Sequence, residues 1–390
     1  MSGSGRDAAV DEPQAPVRAR RIYYLSGFDP RGAAFYHRLY REEAGKQARH
    51  WDARIDVGPR IRRGPHRHAW TVQADWQGES VSTDYHFLAW DDIVRRHWEP
   101  RLFRLFIACV AGYAGYIASG AFSRVRRGFR GPFISAVYPV FYVAMLLALA
   151  ALGAAGAGWL AWGLGADHAP TAALAMLAAG VIGWAGMRLG NRIGVFWLLR
   201  TYLFVSLWGR RGSEPLERRV ADFAEAIRRD QEEAPCDEVL LIGHSVGAIV
   251  AVALAARLAR VLPAGQRGNF TLLTLGHCIP LISLMPTAAA IRRDLRTLAQ
   301  AEDLRWLDMT ARADALCFSQ ANPLEVSGIA APGRPIALVV RPFRMFDART
   351  YARLKRNKLR LHFQYLMASD LPNEYDYFRM TAGPGRLMPY

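Results

Sequence analysis

The run Leu240-Leu241-Ile242-Gly243-His244-Ser245-Val246-Gly247-Ala248-Ile249-Val250 constrains this chain more than any other stretch. An apolar, strand-like segment ends in Gly-x-Ser-x-Gly and passes directly into an Ala- and Leu-rich helical segment. A strand that becomes a helix over so few residues holds its serine on a strained corner, with Oγ standing above the sheet edge. Gly243 and Gly247 have no side chains, which lets strand and helix close around the corner. Ser245 is therefore a candidate nucleophile, with Gly243, His244 and Gly247 forming the elbow around it. A Gly-rich turn carrying a satisfied serine would look the same, so the decision falls to the residues that would have to serve Ser245.

A serine hydroxyl is a weak nucleophile at neutral pH. It needs a base within hydrogen-bond reach and an acid that orients the base. In sites built on such an elbow, the acid and the histidine follow the serine along the chain. Only His277 and His362 lie beyond Ser245. His277 ends the next strand-like run and leaves no room for an acid in between, so His362, in Leu359-Arg360-Leu361-His362-Phe363-Gln364-Tyr365-Leu366, is the candidate base. Catalytic groups in parallel sheets sit at the carboxyl ends of strands. Asp303 falls at the wrong edge of the strand expected at 304–308. Asp308 falls at its exit, and Asp314 in the loop beyond. Asp314 is the preferred acid and Asp308 the alternative.

An oxyanion hole needs two aligned donors. One is expected from the Val246 amide, directly after the nucleophile, and the other from a loop after an early strand. Ile22-Tyr23-Tyr24-Leu25-Ser26-Gly27-Phe28-Asp29-Pro30-Arg31-Gly32 offers that strand and loop, with the Phe28 amide as second donor. Asp29 and Arg31 are spaced to form an ion pair that stiffens it, although Arg31 could instead meet an anionic headgroup.

The remaining chain divides by composition. Residues 1–20 are rich in Gly, Ser, Asp, Pro and Arg, with no apolar core of a signal peptide, and read as a disordered tail. Residues 21–100 hold strand-like runs at 21–25, 71–74 and 85–89. Residues 215–390 alternate apolar runs with helical stretches, the pattern of a parallel sheet. Strands are expected at 238–243, 270–275, 304–308 and 335–340, and helices at 215–232, 246–261, 287–300 and 349–367.

Residues 101–208 are mostly apolar. Phe133–Gly165 and Pro170–Met187 carry no charge at all, and crossing hydrocarbon takes about 20 apolar residues. Arg124, Arg126, Arg127 and Arg130 precede the first run, and Arg188 and Arg192 follow the second. The positive-inside rule puts both flanks on the cytoplasmic side. The strand-forming pieces on either side must share a compartment, so the number of crossings is even. Two spans, about 133–165 and 170–187, satisfy both conditions. Leu102–Phe122 and Val195–Trp208 then read as interfacial or packed helices.

The formal net charge of +16 comes almost entirely from arginine. No zinc-finger, basic-helix or aromatic-basic pattern accompanies it, so nucleic acid is not the expected partner; arginines flanking apolar segments suit an anionic membrane face. Cys109, Cys236, Cys278 and Cys317 are scattered, with no CxxC pair, and suggest neither a metal site nor a disulfide framework.

On these residues the chain resembles an α/β-hydrolase, and within that superfamily the lipase-like serine esterases. Trp306-Leu307-Asp308-Met309-Thr310-Ala311-Arg312-Ala313-Asp314 resembles the acid loop of class 3 lipases, and His362-Phe363-Gln364-Tyr365-Leu366 their histidine segment. Two features depart from the pattern: the usual His-Gly of the oxyanion loop is Ser26-Gly27, and a long apolar insertion separates the early strands from the elbow. The resemblance implies an α/β fold with a mostly parallel sheet flanked by helices. It also implies carboxylic-ester hydrolysis through an acyl-enzyme, with no cofactor. The expectation is a membrane-embedded serine hydrolase acting on a lipid or acyl ester, interrupted by a helical hairpin. Its hydrolase part would face the cytoplasm at a bacterial inner membrane. Acyltransferase or thioesterase chemistry on the same triad, or a non-catalytic anchor, are the alternatives.

Overall fold

A computed structural model of the chain describes residues 16–387. The expected tail at 1–15 lies outside the described residues. Its C-terminal end is corrected, because Val17 is buried and the first strand, β1, begins at Ala19.

The sheet has nine strands: β1 (Ala19–Leu25), β2 (Ala53–Val57), β3 (Ile61–Gly64), β4 (Arg67–Trp76), β5 (Glu79–Leu88), β6 (Glu238–His244), β7 (Phe270–Leu275), β8 (Arg305–Ala311) and β9 (Ile336–Val340). Their order is β2-β4-β5-β1-β6-β7-β8-β9, with β3 paired to β4. From β5 through β9 neighbouring strands are parallel, while β2, β3 and β4 form an antiparallel edge. Segments far apart in sequence thus join one sheet: β1 sits between β5 and β6, so the two ends of the chain share a core.

Burial explains the strand compositions. Every residue of β6 and β7 is buried. Strands covered by helices on both faces read as continuous apolar runs and not as alternating ones. At the edge, β2 alternates half-buried and exposed residues along Ala53-Arg54-Ile55-Asp56-Val57, the period-two pattern of a strand with one wet face.

The helices in chain order are α1 (Gly32–Gln47), α2 (Asp91–Arg96), α3 (Leu102–Ala118), α4 (Ala121–Gly128), α5 (Arg130–Gly163), α6 (His168–Arg192), α7 (Val195–Arg211), α8 (Glu214–Glu233) and α9 (Gly247–Val261). Helix α9 buries eleven of its fifteen residues, almost all small or aliphatic. It packs between α8 and the helix Ala289–Gln300 on one face of the sheet. The segment expected as one helix over 349–367 is split. Ala348–Arg356 ends at Asn357, whose side-chain oxygen accepts from the Arg360 amide at 2.9 Å and starts a new helix, Lys358–His362.

Helices α5 and α6 are joined by a short link around Asp167; α5 begins and ends slightly before the expected run, and α6 extends beyond the expected run at both ends. Both are long and apolar enough to cross a membrane, and their most apolar windows are 6% and 0% buried. They pack on each other. Leu102–Ala118 and Ala121–Gly128 meet at a 75° bend, and together they pass the same length and composition test as one broken segment.

Candidate active site

The elbow begins where β6 stops. Ser245 has φ +58, a left-handed conformation that a non-glycine residue rarely adopts without a reason. Its amide donates to the Leu275 carbonyl of β7 at 2.9 Å, which pins the corner to the sheet. A methyl group on Gly243 would stand 2.6 Å from Ala251 Cβ and 2.7 Å from Ala248 Cα, so only glycine lets α9 fold back this closely. Val246 and Gly247 start α9 immediately after the serine.

His362 and Asp314 come together from different elements. Asp314 lies in the loop after β8, and His362 ends the helix Lys358–His362. His362 Nδ1 is 2.7 Å from Asp314 Oδ2, with both side chains buried. A carboxylate only accepts, so Nδ1 carries the hydrogen and Nε2 keeps its lone pair. Asp314 also accepts from the Leu316 amide at 3.0 Å and the Tyr365 hydroxyl at 3.2 Å. The Tyr365 oxygen in turn accepts from the Ala311 amide at 2.8 Å. Burial pushes the Asp314 carboxyl up, but the facing His362 ring, the Leu316 amide and the Cys317 thiol outweigh it, and the carboxyl sits below its usual range.

His244, inside the elbow, holds the backbone of His362. Its Nε2 lies 3.0 Å from the His362 carbonyl. That carbonyl only accepts, so Nε2 is the protonated nitrogen. Burial, reinforced by the adjacent His362 ring, pushes His244 down to about 3, which keeps it neutral.

Asp308 lies elsewhere. β8 runs to Ala311, three residues past the expected exit, and this places Asp308 inside the strand. Its Oδ1 accepts from Thr274 Oγ1 at 2.5 Å, and His277 Nε2 is 3.5 Å from its Oδ2. All three are buried within β7, β8 and the turn after β7. Asp308 is thus tied to His277 and Thr274, while the carboxylate bonded to His362 is Asp314.

Ser245, His244 and His362 line one pocket, together with Gly27, Phe28, Asp29, Cys278 and residues of α7. Ser245 Oγ is 3.7 Å from Cys278 Sγ. Burial pushes the Cys278 thiol up to about 12, so it is a neutral neighbour and not a competing thiolate. Gly27 packs against the candidate nucleophile: a Cβ there would be 3.1 Å from Ser245 Cβ. The Ser26 carbonyl accepts from Trp90 Nε1 at 2.9 Å, and the Phe28 ring stacks on Phe204 and Trp98, which together anchor the loop. Among the described residues, neither the Phe28 nor the Val246 amide donates to a protein acceptor. Asp29 and Arg31 do pair, at 2.6 Å, and Tyr36 donates to Asp29 as well. The Arg31 guanidinium lies over the rings of Phe35 and Phe363 at 3.8 and 4.8 Å.

Three contributors to this site went unread in the sequence. Cys278 follows β7, the strand beside β6, and that position is its one available signal. Tyr365 reaches Asp314 only through tertiary packing. The α7 residues Trp197, Leu198, Thr201 and Tyr202, which close the pocket, belong to the apolar insertion and carry no motif.

Residues 183–387 match the Alpha/beta hydrolase family. No curated protein and no solved structure matches the chain.

Proposed function

Because the chain belongs to the alpha/beta hydrolase family, which supports a hydrolase in general, we propose that it is a serine hydrolase cleaving a carboxylic ester of a lipid or acyl compound. The observation that carries this reading is the buried Asp314–His362 pair, with His362 lining the same pocket as the left-handed Ser245.

In the proposed reaction, Ser245 Oγ attacks the ester carbonyl while His362 Nε2 takes the hydroxyl proton. The tetrahedral oxyanion meets the Val246 and Phe28 amides. Collapse breaks the bond to the alkoxy group, which leaves as an alcohol after accepting the proton from His362. Water then attacks the acyl-enzyme with His362 again as base, and the carboxylic acid leaves. Asp314 fixes the tautomer and steadies the imidazolium. The scheme needs neither metal nor cofactor.

The same reading gives the molecule a place. Helices α5 and α6 span the bilayer as a hairpin, with arginines at both ends of the pair holding the hydrolase part on the cytoplasmic side, at a bacterial inner membrane. The ester then reaches Ser245 from the lipid side. The test uses full-length protein in nanodiscs containing an acyl-labelled lipid ester, with a large excess of a free alcohol. Labelled fatty acid released by the wild type and not by Ser245→Ala supports the reading. Label recovered mainly in a new ester assigns acyl transfer, and no product from folded protein refutes the enzyme.

A further inference from the structure

Two surface helices treat their basic charge differently. Along α8 the arginines are matched within the helix: Arg218 pairs with Glu214 at 2.7 Å, and Arg228 and Arg229 share Glu225 at 2.9 and 2.8 Å. Residues 349–358 have no such match. Arg349, Arg353, Lys355, Arg356 and Lys358 are all exposed, and the stretch contains no acid. Asp347, just before it, is engaged at the helix start, where it accepts from the Arg349 and Thr350 amides at 2.8 and 3.0 Å. Its charge reaches Arg353 without an ion-pair contact. Among the described residues none of the five forms an ion pair, and Arg353 donates to the Thr350 hydroxyl at 3.2 Å. Arg349, Arg353 and Arg356 follow at four- and three-residue spacing in the helix Ala348–Arg356. Like charges at that spacing share a face and oppose the helix in water. An anionic surface would relieve them.

The position of the stretch says which surface. Leu359 packs on the turn that ends α6, where a Cβ on Gly194 would run into Leu359 Cδ1. The last turns of α6 carry exposed Arg188 and Arg192, and α5 begins at exposed Arg130. The Tyr142 hydroxyl of α5 donates to the Gly186 carbonyl of α6 at 2.7 Å, which puts these arginines at one end of the pair. No lysine or arginine lies between Gly131 and Met187. The basic stretch therefore continues the arginines at the one charged end of the hairpin. Just upstream, Phe343 is 56% exposed, with the Arg344 guanidinium 6.0 Å over its ring. Exposed aromatic and basic side chains together are the composition of a surface that lies against headgroups.

We propose that Arg349, Arg353, Lys355, Arg356 and Lys358 form a docking surface for the anionic phospholipid headgroups of the membrane that α5 and α6 cross. The inference rests on the hairpin reading and adds a second attachment, on the hydrolase part itself. Each basic side chain at an anionic surface contributes about fivefold in binding, and salt screens the attraction. Leu359 and Phe363, which line the Ser245 pocket, follow the docking stretch directly. Docking thereby holds that wall of the pocket near the headgroups.

The test is amide hydrogen exchange of the full-length protein in nanodiscs of phosphatidylcholine, with and without phosphatidylglycerol. Exchange over 348–358 is expected to slow about fivefold or more in the anionic discs and to recover at high salt. Peptides of α8 are expected to exchange equally in both. The combined substitution Arg349→Gln, Arg353→Gln and Arg356→Gln, all on the exposed surface, is expected to abolish the difference. Protection that survives it contradicts the assignment of these side chains. Equal exchange over 348–358 in the two kinds of disc overturns the docking surface and leaves the hairpin standing. Protection produced on phosphatidylcholine discs by soluble glycerol phosphate assigns a small-anion site and also overturns it. Folded protein recovered outside the discs overturns the hairpin, and the docking surface with it.

Discussion

β6 and α5 are both apolar, yet they end in opposite surroundings. β6 is completely buried, with helices covering each face of the sheet around it. The apolar core of α5 is almost completely exposed apart from its contact with α6. Equal hydrophobicity therefore says only that water is avoided, and the partner decides the destination. β6 finds its partners within the fold and so fixes the corner that carries Ser245. Over their most apolar windows α5 and α6 find little such cover among the described residues, and under the proposed reading a bilayer supplies it. The two regions meet at α7, whose side chains close the Ser245 pocket.

The largest effects belong to the buried half. Ser245→Ala is expected to lower kcat for ester hydrolysis by about 10⁴-fold or more without changing the melting temperature. Asp314→Asn is expected to cost about 10³- to 10⁴-fold by disturbing the His362 tautomer. Asp308→Asn, inside the strand, is expected to act through stability instead. If Asp308→Asn were the variant that lost rate at unchanged stability, the assignment of the acid would be reversed.

On the exposed half, arginine at both Leu152 and Val181 is expected to leave the hydrolase part folded but to reduce membrane insertion. The cost is about 3 kcal/mol for each charge near the centre of a span. Retention in the carbonate-resistant membrane fraction is the readout, and an undiminished membrane fraction would break the contrast between the two regions. A single cysteine at Asp167 should react with an impermeant maleimide from the outer face only.

A smaller effect comes from pH. His244 is held neutral with its pKa well below the unfolded value, so the stability it contributes is complete above about pH 6.5 and declines as pH falls toward about 3. The slope is about 1 kcal/mol per pH unit over that window, and replacing His244 by Gln should flatten it in a thermal-denaturation series. Asp314 works in the same direction lower down: its depressed pKa adds stability above the usual carboxylate range that is lost as acid protonates it. Smallest of all, Gly27→Ala should reduce kcat severalfold with little loss of stability, since its methyl crowds Ser245 and the His244 carbonyl, each by a few tenths of an ångström at most.

Legibility in the sequence follows from how local each cause is. The strand, turn and helix around Ser245 are contiguous and strongly patterned, so they could be read directly, as could the uncharged runs that became α5 and α6. α1 was not foreseen: its stretch mixes Tyr, Arg and Glu without a side-chain cap at its start. Asp308 was misplaced because a strand's end depends on its neighbours, and pairing with β9 carries β8 on to Ala311. The split at Asn357 is a capping event that a continuous polar helix pattern conceals. Tyr365 and Cys278 reach the site only after the sheet is assembled, so no spacing along the chain announces them.

The most direct test is peptide mapping after treatment of the full-length protein in nanodiscs with a small ethoxy fluorophosphonate. The account predicts one adduct, on the peptide bearing Ser245, absent from Ser245→Ala and strongly slowed in Asp314→Asn. Folded wild-type protein that takes up no adduct, or takes it up on another residue, contradicts it.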